Sequence, residues 1–166
     1  ICKYMNNKIR TPTFVDFNQH LSPHFTLGEM LRSGRAILLR IDNVPSEKAS
    51  PFESSYTEVV ENMKALAMNV LEPLRQQVGR VIITSGFRCK QLNDAVGGVA
   101  NSQHLRGEAA DIHITTREML DKYTRILLKT DFDQLILEPI NAPIKRWIHV
   151  SYKRSGKNRH ELIDKR

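Results

Sequence analysis

The stretch Ser102-Gln103-His104-Leu105-Arg106-Gly107-Glu108-Ala109-Ala110-Asp111 sets an imidazole and a carboxylate seven residues apart across a turn. Its end runs into an alternating segment, Ala109 to Ile114, that reads as a strand. Side chains on a strand alternate between faces. Ala110, Ile112 and Ile114 therefore share the core face, and Ala109, Asp111 and His113 share the other. A second strand, Arg146 to Tyr152, sends Ile148 and Val150 to the core and Trp147, His149 and Ser151 away from it. Asp111 and His149 can thus stand on one side of a sheet. The turn at Gly107, where glycine admits positive φ, returns His104 to that side. The small Ala109 leaves room beside them. Two His and one Asp suit zinc, and three protein ligands leave its fourth position open, as in catalytic sites. One Zn2+ per chain, held by His104, Asp111 and His149, is the expectation.

Outward from this core, the chain alternates helices and short strands. Phe25-Thr26-Leu27-Gly28-Glu29 carries a capping box, with Thr26 as cap and Glu29 three residues on. Pro45 to Pro51 is a loop. Thr57 to Val78 has apolar residues at helical spacing and a break or kink at Pro73. Val81 to Thr84 is a buried strand, Arg88 to Val96 a short helix closed by Gly97-Gly98, and Thr116 to Leu128 an amphipathic helix. Phe132 to Glu138 and Arg146 to Tyr152 are strands joined by Pro139 to Lys145. The expected class is α+β. It is a single domain with a small antiparallel sheet, helices packed on one face and the zinc site on the other. The limits read as an N-terminal arm over 1–20, the domain over 21–152, and a basic C-terminal tail over 153–166.

A chain of 166 residues suffices for one domain with a sizeable core. Its 40% hydrophobic and 26% charged residues are ordinary for a globular protein. No apolar run reaches the roughly 18 residues of a membrane span, and Ile1 to Lys8 lacks the apolar stretch of a signal peptide. Cys2 and Cys89 imply no disulfide framework, and Cys89 reads as a free thiol near a helix start. The net charge of +7 gathers toward the end, at Lys145, Arg146, Lys153, Arg154, Lys157 and Arg159. Such a surface attracts polyanions, with anionic cell-wall polymer as one partner. Sparse aromatics and the lack of basic–aromatic alternation speak against nucleic acid. His20, His24 and His160 lack metal-site context.

The pattern Ser-x-His-x-x-Gly-x-Ala-x-Asp followed by Trp-x-His resembles the zinc D-Ala-D-Ala carboxypeptidase family, and within it the small phage-type peptidoglycan peptidases. The likeness extends from Leu21 to Tyr152. It includes Ser22 to Glu29, Ile41 to Pro45, Thr84-Ser85-Gly86-Phe87-Arg88 and Asp133 to Ile136. The resemblance implies zinc on His104, Asp111 and His149. It makes Arg88 the arginine that polarises the scissile carbonyl or binds a substrate carboxylate. Ser102 either bonds substrate backbone or fixes the turn, and His113 is a second ligand-orienting group or a substrate contact. Relatives carry an acid three positions before the last zinc histidine, where this chain has Arg146. Glu138, at the end of the preceding strand, is nominated as general base in its place. The implied activity is hydrolysis of peptidoglycan peptides containing D-amino acids, by a carboxypeptidase or an endopeptidase acting on the bacterial cell wall. The alternative is a zinc-bearing binding module without catalysis, as the similar fold of Hedgehog signalling domains illustrates.

Overall fold

Thr26 and Glu29 form their capping box: the Thr26 hydroxyl accepts from Glu29 N, and the Glu29 carboxylate accepts from Thr26 N at 2.9 Å. This opens α1 (Leu27–Leu31). The structure, a computed structural model, describes residues 15–51, 53–138, 147–154 and 156–166. Residues 1–14 of the expected arm, the Pro139–Lys145 connection and Arg146 lie outside the described residues. The arm's last residues are docked on α1. Gly28 N donates to Phe17 O and Leu27 N to Gln19 O, both at 2.8 Å.

After α1 comes α2 (Gly34–Leu39), capped by the Ser33 hydroxyl. The sequence reading missed it for a physical reason. Its six residues leave Ile37 and Leu38 facing solvent, so no apolar stripe announces it. The expected long helix is α3 (Tyr56–Leu66), a π-turn (Ala67–Leu71) and α4 (Glu72–Val78). Proline lacks an N–H and crowds the carbonyl four residues back. A widened turn just before Pro73 is one way to absorb that misfit. The stripe itself is core: Val59, Met63, Leu66, Val70, Leu71 and Leu74 are fully buried.

Five strands follow among shorter helices: β1 (Ile83–Ser85), β2 (Ala109–His113), β3 (Gln134–Leu137), β4 (Trp147–Ser151) and β5 (Glu161–Asp164). They form one sheet in the order β1-β2-β4-β3-β5. The first four pair antiparallel and β5 joins parallel to β3. Between strands lie α5 (Lys90–Ala95), a 3-10 turn (Gln103–Arg106) and α6 (Arg117–Leu127), whose cap is Thr116. Ile112, Leu135, Leu137, Ile148 and Val150 join the α3–α4 stripe and Leu120, Tyr123 and Leu127 of α6 in one core. Helices thus cover one face of the sheet, and the other face is free for a site.

β5 lies in what the sequence presents as a basic tail. Four residues with two apolar side chains give too short a pattern to read. Its anchor is Asp133, a fully buried carboxylate immediately before β3. Asp133 accepts from Arg159 N, Nε and Nη2, at 3.1, 3.1 and 2.7 Å, and from Gln103 Nε2 at 3.2 Å. Lys153 Nζ lies 3.4 Å away. Burial would raise this carboxyl, but the bonds and charge of Arg159 and Lys153 outweigh it and hold it below its usual range. Much of the terminal positive charge is therefore engaged within the domain. Arg159 also pairs with Glu161, Lys165 with Glu138, and Arg166 with Asp164 and Asp121.

Candidate metal centre

The register of the sheet builds the site. Asp111 on β2 stands directly across from His149 on β4, with Ile136 of β3 on the far side of His149 and Ser85 of β1 on the far side of Asp111. Residues opposite one another in antiparallel strands share a face, so this row lies on the face away from the helices. His104 arrives from the 3-10 turn. That turn closes at Gly107 with φ +70, the left-handed region. A Cβ there would also lie 2.7 Å from Val59 O, so the chain passes against α3 where only glycine fits.

The three side chains converge. His104 Nε2 is 3.2 Å from His149 Nδ1 and 3.3 Å from Asp111 Oδ1, and His149 Nδ1 is 3.0 Å from Asp111 Oδ1. Bonds of about 2.0–2.1 Å to a tetrahedral zinc put ligand atoms about 3.3 Å apart. The triangle is thus already at the size such an ion requires. His104 Nδ1 lies 2.6 Å from Gly86 O. A proton on that nitrogen, donated to the carbonyl, leaves the Nε2 lone pair for the metal. Burial lowers the basicity of His104 against the pull of Asp111, which favours the neutral ring a metal needs. Burial would raise the Asp111 carboxyl, but the charge and hydrogen bonds of His104 and His149 outweigh it and hold it well below the usual carboxylate range. The donor set therefore fits zinc on geometry, and His104 and Asp111 fit it on protonation as well.

Arg88 sits at the edge of this cluster. Its Nη2 donates to Asp111 Oδ2 at 2.5 Å and its Nε to Ser85 Oγ at 2.8 Å. Asp111 thus gives one oxygen to the histidines and the other to Arg88, while Arg88 Nη1 has no protein partner among the described residues. Beside it opens a cleft of about 650 Å3, whose lining includes Arg88, Asp111, His113 and Trp147. His113 and Trp147 are cross-strand partners one row beyond the metal row. Ser102 is buried at the start of the 3-10 turn, and its hydroxyl makes no capping bond there.

Glu138 follows β3. The β3–β4 register, carried one residue past Leu137 and Ile148, sets it across from Trp147 on the site's face. Its carboxylate is engaged by Lys165 at 3.2 Å, and it is not among the residues lining the cleft. Cys89 is a buried free thiol, raised in pKa chiefly by burial, with its N–H on Asn43 Oδ1. His24 pairs with Glu72 and His160 with Asp131, remote from the ligands. Sequence reasoning missed two supports: the Gly86 carbonyl and the Ser85 hydroxyl. Both lie in the Thr84–Arg88 segment that the resemblance marked, but a backbone carbonyl leaves no residue-type signal.

A family model described as Peptidase M15 matches residues 23–151. The chain belongs to this family, that of the zinc D-Ala-D-Ala carboxypeptidases, and so to the metallopeptidases. No curated protein matches it. The match ends at the last residue of β4, so β5 lies beyond it.

Proposed function

We propose that this chain is a zinc peptidase that hydrolyses peptidoglycan peptides containing D-amino acids, as a D-Ala-D-Ala carboxypeptidase or as an endopeptidase of stem or cross-link. The observation that carries the reading is the His104–Asp111–His149 triangle, sized for zinc, whose Asp111 also lines the cleft that holds Arg88. Zinc bound there supplies a Lewis acid and makes water acidic enough to attack near neutral pH. Asp111 holds its metal-facing oxygen in place because Arg88 fixes the other. The unbonded Nη1 of Arg88 is suited to the substrate's carbonyl oxygen or carboxylate. His113 and Ser102 are assigned to substrate contact. Glu138 is assigned the proton: it takes one from the attacking water and returns it to the leaving amine.

The test is hydrolysis of D-Ala-D-Ala-type stem peptides and of cross-linked fragments, followed by chromatography. Activity should vanish with a chelator and return with zinc at about one ion per chain. His149→Ala should be inactive yet folded, because Ile148 and Val150 still supply the core face. Zinc-loaded protein that cleaves no such peptide would sink the reading. A second reading is a zinc-bearing, non-catalytic cell-wall or protein-binding module. It is favoured by one observation, the pairing of Glu138 with Lys165 outside the cleft lining.

A further inference from the structure

We propose that Arg32, between α1 and α2, and Arg35, in the first turn of α2, form an anion subsite that selects peptides carrying a carboxylate near the scissile bond. The inference deepens the peptidase reading above and rests on it. Both arginines are exposed and line the same cleft as Asp111, Arg88, His113 and Trp147. Neither forms an ion pair among the described residues, whereas the terminal cations Arg159, Lys165 and Arg166 all do.

The charge balance of the cleft points one way. Among the described residues Asp111 is its one acidic lining residue, and that carboxylate is already shared between Arg88 and the two histidines. Arg32 and Arg35 therefore add positive charge that no protein group in the cleft matches. A concave, low-dielectric wall concentrates such a field on whatever enters. A guanidinium fork matches a carboxylate in two parallel hydrogen bonds, which makes it a selective receptor and not merely a general attraction.

The wall is also built in register with the catalytic segment. Met30 O accepts from Phe87 N at 2.8 Å. Asn43, itself buried, donates through Nδ2 to Leu31 O and to Phe87 O, and accepts from Cys89 N through Oδ1, all at 2.8 Å. One amide thus ties the residue before Arg32 to the residues on either side of Arg88. Gly86, beside them, lets the segment after β1 pass against α1, since a Cβ there would run into the Met30 backbone. The Ser33 cap on Ala36 N, at 3.3 Å, fixes the turn between Arg32 and Arg35. The backbone segments that carry the two cationic edges of the cleft are tied together before any ligand binds, which lowers the ordering cost of binding.

The carboxylate can be a peptide's C-terminus or an acidic side chain, and matched substrates separate these. The zinc-loaded full chain would be assayed on one stem peptide in three forms: unmodified, amidated at the C-terminus, and amidated at the acidic side chain. One of the amidated forms should lose about 10- to 100-fold in kcat/KM, mostly through KM, the scale of one charge-assisted hydrogen bond. Its identity names the source of the carboxylate. In Arg32→Gln/Arg35→Gln the unmodified peptide should fall to that level, while the sensitive amide changes less than about twofold. Arg32→Lys/Arg35→Lys should restore part of the preference. Equal losses on all three peptides, or no preference in the parent protein, would overturn the proposal. If no form is cleaved, the peptidase reading fails by itself. Calorimetric binding of the same three peptides to the zinc-loaded chain then decides the subsite, and equal affinities would reject it.

Discussion

Two carboxylates on the site's face have different surroundings. Asp111 is enclosed by two imidazoles and Arg88, with one oxygen toward the histidines and the other on the guanidinium. Glu138 is partly exposed and held by Lys165. If Glu138 is the base, Glu138→Gln keeps zinc and loses about 10²–10⁴ in rate, the usual contribution of a positioned base. Lys165→Ala then keeps most of the activity, because Lys165 only pairs with the base and touches no ligand of the site. Near-parent rates for Glu138→Gln would remove it and leave His113 as the next candidate, since His113 lines the cleft. Asp133→Asn would differ from both: that carboxylate is fully buried and serves Arg159 and Gln103, so its loss acts on the fold.

The turn from Gln103 to Gly107 is the element that makes three ligands out of two strands. Gly107→Ala should cost roughly 1–3 kcal/mol, from the left-handed backbone and the contact with Val59 O. It should also weaken zinc binding, because the displaced turn carries His104. Thermal melts with and without zinc would check both, and an unchanged zinc-induced shift would refute the coupling. This element was legible in the sequence. The spacing of His104, Gly107 and Asp111, with period-2 alternation after it, left few ways to place the side chains. The faces of β2 and β4 were legible for the same reason, since each has buried aliphatics on one side only. Other elements carried weaker local signals. α2 exposes its apolar residues, and the π-turn answers a proline whose effect reads equally as kink or break. β5 depends on Asp133, nearly thirty residues earlier. Arg32 and Arg35 look like ordinary surface arginines until the fold sets them beside Arg88.

Across the molecule, two buried carboxylates tie distant segments together. Glu72 of α4 accepts from Ser22 Oγ at 2.7 Å and His24 N at 2.8 Å, and Asp133 gathers the last residues of the chain. Burial opposes the ionised form of each, yet the hydrogen bonds from Ser22 and His24 at Glu72, and those of Arg159 with the charge of Lys153 at Asp133, win, so both pKa values are depressed. A depressed folded pKa means the native state binds fewer protons than the unfolded chain. Its stabilisation is present above an unfolded carboxyl pKa of about 4 and fades as pH falls through the lower folded value. Urea midpoints should hold near neutrality and drop below about pH 4. Arg159→Ala should cost about 3 kcal/mol by leaving a buried carboxylate short of partners. It should also flatten the acid slope, and an unaltered slope would contradict this account of Asp133. β5 has a further consequence for anyone trimming the chain. The end of the family match at residue 151 is a poor place to cut. Without Glu161–Asp164, the outer rim of β3 presents bare N–H and C=O groups to any passing strand. A fragment ending there would be sticky, and its clumping in a test tube would reflect an uncovered seam, not a failed catalyst.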